Sequence, residues 1–355
     1  FFMRLALKQA KHFLGNTGQN PSVGCAIVKN NTLLSLGRTS IKGRPHAEIN
    51  AIKSSKTNLA GSTMYITLEP CSHYGKTPPC VNSIIKSRIK KVFYSINDPD
   101  FRSFMKSKKL LKNKNIKVKD GLLRKEIKSF YKSYTQYKLK NLPFVSGKLA
   151  ISKDFFTVNK KNRWITNNFS RGRVHLLRSE YDCIITSSET IKKDNPQLNC
   201  RILGLSSYSP TKIILDRRLK TPVKSNVCKK TKKTKTIIFY NRKDLKKIKF
   251  LKKQKIKTIW APLDNTNNLD LNFIMLKVKK LGFSRVFLES GITLVKAFLK
   301  KNLINNLIIF KSNQKLTKYG KKNFKSIFNS YIKQKKRHIE KINLFGDSLT
   351  SYYIK

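Results

Sequence analysis

Short apolar runs bounded by Gly, Pro, Asn or charged residues alternate with stretches of helical spacing along nearly the whole chain. That alternation restricts it to layered α/β architecture. "SVGCAIVKNNTLLSLGR" (22–38) reads as a hairpin turning at Asn-Asn, and a helix is expected from about His46 to Ser55. "STMYITLE" (62–69) and "KKVFYSI" (90–96) read as strands around a helix over 81–89. A helical stretch to about Asn115, a short strand at "IKVKDG" and one long helix over 123–139 follow.

At "KNLPFVSGKLAIS" the pattern restarts with a strand after Pro143, and 355 residues exceed what one core usually organises. Two domains are expected, 1–142 and 143–355. In the second, strands are expected at 181–187, 211–216, 234–241, 256–261, 284–290 and 305–312, with helices at 169–179, 270–281 and 292–301.

The opening "FFMRLALKQAKHFLG" reads as an amphipathic first helix ending at Gly15 rather than a secretory signal. It lacks an initiator Met, so residues upstream are expected. No apolar stretch is long enough for a membrane-spanning helix. The six cysteines, at 25, 71, 80, 183, 200 and 228, form no even framework. A reducing, cytoplasmic setting is expected. With 77 Lys+Arg against 18 Asp+Glu the formal net charge is +59. The basic residues are mostly Lys and spread over the whole length, as in the run over 229–257. This reads as compositional drift toward Lys, Asn and Ile, with no dedicated nucleic-acid partner and no membrane.

Chemistry concentrates in "RPHAEINA" (44–51) and "LEPCSHYGKTPPC" (68–80). His46, Cys71 and Cys80 offer three zinc ligands and leave a fourth position to water. Glu48, two residues after His46, is placed to act as a catalytic acid–base group without being a ligand. His-x-Glu followed by Pro-Cys and a further Cys matches the known pattern of zinc nucleobase deaminases, and is matched here rather than deduced.

Eight residues separate the cysteines, where deaminases of free cytidine or of nucleic acids usually have two. With "PCSHYGKTPPC", "QNPSVGCAIV" (19–28) and "NDPD" (97–100), the chain resembles the bifunctional deaminase–reductases of riboflavin biosynthesis. The resemblance implies a cytidine-deaminase-like α/β/α layer sandwich followed by a dihydrofolate-reductase-like α/β domain. It implies Zn2+ and NADPH, a phosphorylated pyrimidine substrate and a homo-oligomer. The substrate implied is 2,5-diamino-6-(5-phosphoribosylamino)pyrimidin-4-one, hydrolytically deaminated and then reduced from ribosyl to ribityl.

Carried over by position, Asn20 and His73 would contact this substrate, with Lys76 and Thr77 beside them. "GKLAIS" (147–152), "RWIT" (163–166) and the block 175–201 resemble the family's reductase motifs. They imply that Lys148, Asn162, Arg178, Leu198, Arg201 and Glu289 hold substrate, the arginines gripping phosphate. Ala150, Trp164, Thr190 and Asp194 would hold NADPH. So would the turn Gly291, Ile292, Thr293, Leu294, Val295, Lys296 and Ala297, although no G-x-G-x-x-G occurs.

The chain departs from the family at Phe155, at Ser290 and around Met105 and Ser107, all glycine positions there, and at Asn162, a serine there. Two alternatives stay open: a deaminase with a degenerate reductase domain, and a transfer-RNA-type zinc deaminase.

Overall fold

The computed structural model describes residues 1–229, 235–242 and 244–355. Phe1–Leu142 and Pro143–Lys355 form two compact units.

The first unit runs α1 (Phe2–Lys11), β1 (Gly24–Lys29), β2 (Thr32–Arg38), α2 (Ala47–Ser54), β3 (Thr63–Leu68), α3 (Cys80–Lys86), β4 (Lys91–Ile96), α4 (Lys106–Lys112), β5 (Lys117–Asp120), α5 (Arg124–Phe130) and α6 (Lys132–Leu139). Its sheet has the order β2-β1-β3-β4-β5. β1 is antiparallel to β2 and β3, whereas β3, β4 and β5 are parallel. The hairpin turns where expected, with Asn30 and Asn31 at φ 49 and 58. Two successive left-handed residues make the turn whose twist suits paired strands.

Close approach of helix to sheet depends on two glycines. A Cβ at Gly24 would lie 1.8 Å from the Ala6 carbonyl oxygen, and one at Gly37 2.1 Å from that of Ala47. Gly37 thus seats the start of α2, where His46 and Glu48 lie. The single helix expected over 123–139 is two, meeting at Tyr131 (φ −84, ψ 6). Tyr131 is buried there, its hydroxyl donating to the Ser22 carbonyl at 3.0 Å and lying 2.6 Å from Thr67 Oγ1.

The second unit runs β6 (Phe144–Ile151), β7 (Phe156–Asn159), α7 (Asn168–Ser179), β8 (Cys183–Ser187), α8 (Ser188–Asp194), β9 (Thr211–Leu215), β10 (Thr236–Tyr240), α9 (Leu245–Lys253), β11 (Lys257–Trp260), α10 (Leu271–Lys280), β12 (Arg285–Glu289), α11 (Ile292–Lys300), β13 (Asn306–Lys311), β14 (Gly320–Asn323), α12 (Lys325–Tyr331), β15 (Arg337–Ile339) and β16 (Ser348–Tyr353). The strand expected at 234–241 begins at Thr236; Thr234 lies outside the described residues.

The main sheet has the order β11-β10-β9-β8-β12-β6-β13-β16-β15. β11 through β13 are parallel, and β16 pairs antiparallel with β13 and β15. Its central strands are continuous apolar runs, with Ile184, Ile185, Ile213, Ile214 and Val286 through Leu288 at or near zero exposure. That is the pattern of parallel strands covered on both faces. β12 pairs with β8 on one side and β6 on the other, and so sets Glu289 opposite Lys148.

Candidate active sites

His46 is the N-cap of α2, in extended conformation. Cys71 follows β3, and Cys80 opens α3. The fold brings His46 Nδ1 to 3.3 Å from Cys80 Sγ and 3.5 Å from Cys71 Sγ, with all three ligand atoms within 4.8 Å of one another. The Cys80 amide donates to Cys71 Sγ at 3.2 Å. The Cys80 thiol and amide, with the His46 ring, hold the Cys71 thiol down at about 4 against the effect of burial. Cys80, bonded to that sulfur and buried, moves the opposite way.

Glu48 is 3% exposed, and burial pushes its carboxyl up to about 7. Among the described residues its Oε2 has no hydrogen-bond partner. An imidazole, two sulfurs and an unpartnered buried carboxylate oxygen fit a zinc site with an open position.

The inserted loop is tied down at both ends. Thr77 Oγ1 accepts from Arg44 Nη1, and His73 Nδ1 lies 2.8 Å from Ser103 Oγ. Asn20 Nδ2 donates to the Gly43 carbonyl at 2.9 Å. Gly43 has φ 90, and a Cβ there would strike the Asn20 side chain at 2.7 Å. Asn20 is therefore seated beside the segment that leads to His46. Lys76 is exposed.

In the second unit Lys148, Glu289 and Arg178 cluster at the sheet. Glu289 takes Arg178 Nε at 2.9 Å and Nη2 at 2.8 Å, and the Asn199 carbonyl takes Nη1 at 3.0 Å. Burial works against the Glu289 carboxylate, yet Arg178 and Lys148 hold it down at about 2. Burial lowers the Lys148 amine. The two-nitrogen edge of Arg178, expected on phosphate, is thus occupied by Glu289. Arg201 is the exposed arginine, its guanidinium 3.1 Å from Asn199 Oδ1. Leu198 is buried with φ 51.

Asn162 and Trp164 lie exposed between β7 and α7. Arg163 and Arg171 stand 5.0 and 4.8 Å from the Trp164 ring, and Arg163 donates to the Asp194 carbonyl at 2.8 Å. Ala150 is half-buried on β6, while the Asp194 side chain is exposed. Ser187, Thr190 and Ser290 join hydroxyls at 3.0 and 3.2 Å. Gly291 is the N-cap of α11. Ile292 and Val295 point into the core, whereas Thr293 and Lys296 are exposed and Leu294 and Ala297 intermediate. A phosphate at this turn would meet first-turn amides rather than the Ile292 or Val295 side chains.

Sequence reasoning passed over Glu69, Ser103, His175 and Asn199. His175 Nδ1 lies 2.9 Å from the Asn199 carbonyl and 3.2 Å from the Arg201 amide, and burial, Arg178 and Arg201 pull its pKa to about 4. The residues at two missing glycines keep left-handed backbones, Met105 at φ 58 and Phe155 at φ 69.

Residues 1–96 match the model of the cytidine and deoxycytidylate deaminase zinc-binding region, and residues 143–313 that of the RibD C-terminal domain. A deaminase zinc centre and a reductase sheet in one polypeptide define a bifunctional deaminase–reductase. The riboflavin biosynthesis protein RibD of Aquifex aeolicus is 32% identical over 311 residues, covering 87% of this chain and 85% of that protein. RibD of Buchnera aphidicola is 35% identical over 332 residues, 90% and 88% of the two. Among solved structures, a diaminohydroxyphosphoribosylaminopyrimidine deaminase/5-amino-6-(5-phosphoribosylamino)uracil reductase from Thermotoga maritima superposes with TM-score 0.84 at 28% identity, over 100% of this chain and 98% of that one. The chain belongs to the RibD family: it is a bifunctional deaminase and reductase of riboflavin biosynthesis with a zinc-binding deaminase domain.

Proposed function

We propose that residues 1–142 deaminate a ribosyl-phosphate-bearing diaminopyrimidinone and that residues 143–355 then reduce its ribosyl group to ribityl with NADPH. The observation that carries the first half is the unpartnered Glu48 Oε2 beside the His46, Cys71 and Cys80 cluster. His46, Cys71 and Cys80 would hold zinc, which would supply the Lewis acidity that makes water nucleophilic at neutral pH. Glu48, pushed up to about 7 by burial, is placed to carry protons in turn, one to the ring nitrogen and a second to the departing amino group, which leaves as ammonia. Asn20 and His73 orient the pyrimidine, and Lys76 and Thr77 line its phosphate end.

In the second unit NADPH supplies the hydride for the sugar's anomeric carbon. Lys148 and Glu289 face that sugar, and Arg201 meets its phosphate through guanidinium hydrogen bonds. Leu198 and Asn162 complete the substrate side. Ala150, Trp164, Thr190, Asp194 and the turn 291–297 form the cofactor side. The left-handed backbone at Phe155 and the Ser290 hydroxyl bond speak for a working reductase, because both replaced glycines are accommodated without loss of the turns.

We place the enzyme in the cytoplasm as a homo-oligomer. Among the described residues no helix is long and apolar enough to cross a membrane. The test incubates purified protein with the diamino substrate, with and without NADPH, and identifies products by mass. Deaminated ribosyl product without NADPH and ribityl product with it are expected. Ammonia release without NADPH oxidation would leave a deaminase alone, and no reaction with either would refute the proposal.

A further inference from the structure

A hydrogen-bonded chain reaches His73 from a buried carboxylate outside the expected site. Glu69 follows β3 and is 3% exposed. Its Oε2 accepts the amides of Asp98 at 3.1 Å and Met105 at 3.0 Å. Its Oε1 accepts the Ser107 amide at 3.2 Å and the Ser107 hydroxyl at 2.8 Å. One carboxylate thus pins both ends of the segment 98–107 to the strand that leads into Cys71. The Ser107 hydroxyl thus adds a side-chain bond to the three backbone amides that Glu69 already takes. Midway along the segment Ser103 is fully buried, its amide bonded to the Asp100 carbonyl at 2.9 Å. Its Oγ lies 2.8 Å from His73 Nδ1 and 3.5 Å from the Ser72 amide.

We propose that Ser103 is a positioning residue for His73: held in place through Glu69, it fixes the imidazole so that Nε2 is presented to the phosphorylated pyrimidine. Among the described residues His73 Nδ1 is the acceptor that the buried Ser103 hydroxyl meets, the Ser72 amide being itself a donor, so the hydroxyl proton is assigned to Nδ1. The ring hydrogen then sits on Nε2, where it can donate to an oxygen of the substrate. The inference rests on the deaminase reading above.

The test uses the full zinc-loaded chain as wild type, Ser103→Ala, His73→Ala and the double variant. Zinc content, ammonia release and the ring 15N shifts of His73 are measured. Ser103→Ala is expected to raise KM roughly 5- to 10-fold, the effect of losing one neutral hydrogen bond, with kcat and zinc content nearly unchanged. In the His73→Ala background the same change should cost nothing more. An equal loss in both backgrounds, or a loss in kcat alone, would overturn the proposal, as would a wild-type ring protonated at Nδ1 only. If wild-type protein released no ammonia, the deaminase reading itself would fall, while the 15N shifts would still decide whether Ser103 sets the ring. Loss of zinc in Ser103→Ala would show that Ser103 supports the metal site rather than the His73 ring alone, and would overturn the proposal.

Discussion

Arg178 on α7 and Glu289 at the end of β12 meet edge to edge, through Nε–Oε2 at 2.9 Å and Nη2–Oε1 at 2.8 Å, with side chains only 10% and 17% exposed. A buried fork of this kind costs most when one partner is removed and the other charge is left alone. Arg178→Met should destabilise the protein by about 3–5 kcal/mol, read as a lowered midpoint in urea unfolding.

The same pair predicts a pH dependence. The folded carboxyl of Glu289 is held at about 2, below its ordinary 4.5. Its contribution is therefore fully present above 4.5 and fades as the pH falls toward 2. Urea midpoints compared between pH 6 and pH 3 should fall more steeply in wild type than in Glu289→Gln. Equal slopes would show that the pair does not keep Glu289 ionised in the folded protein.

Arg201 should behave differently from Arg178 although both are arginines of one motif block. The residue is exposed, and among the described residues its guanidinium hydrogen-bonds to Asn199 Oδ1 and Gln197 Oε1. Arg201→Ala should leave thermal stability nearly unchanged. It should raise the reductase KM for the ribosyl phosphate roughly 10- to 100-fold, as expected for one charged hydrogen bond.

Glu48→Ala removes an acid–base group and no ligand. About one zinc per chain should be retained on metal analysis, while ammonia release falls by at least about 100-fold. Full activity in that variant would remove Glu48 from the chemistry.

Left-handed backbone without glycine is a recurring feature of this chain. Arg88, just past α3, and Lys255, just past α9, have φ 54 and 58. Both occupy the helix-terminating position where glycine is usual. Arg88→Gly and Lys255→Gly should each stabilise by roughly 0.5–1 kcal/mol, the left-handed strain relieved less the added chain entropy. Calorimetry should show a rise of about 1–4 °C for each.

The parts of this molecule legible in the sequence are those encoded locally. Asn30-Asn31 turns a hairpin because both residues tolerate positive φ, and His46-x-Glu48 with the two cysteines reads as a site because ligand chemistry restricts residue type. The central strands were legible from apolar runs alone. What stayed hidden depends on partners far away in the sequence. Nothing near Glu69 says that its carboxylate will hold a loop some thirty residues on, and nothing near Arg178 says that Glu289 will take its fork. α8 was missed because it starts directly after β8 without Gly or Pro between them. The short strands β7, β14 and β15, and the largely polar β16, carry too little apolar periodicity to announce themselves. For the turn after Glu289 the motif placed a whole run of residues in the cofactor site, but helical periodicity sends Ile292 and Val295 inward.

The strand order of the second unit also governs how the protein can be made. β6 leaves the ribosome first, yet both its neighbours, β12 and β13, begin only at Arg285 and Asn306. A nascent chain halted before Arg285 therefore carries a largely apolar strand with two open edges, an invitation to pair with foreign strands. Inserting β12 closes one edge of β6 and one of β8 together, and only then do Lys148 and Glu289 face each other. Translation must run most of the way to the end before this sheet can close, so pauses or truncations upstream of Arg285 should yield aggregates rather than a half-working reductase.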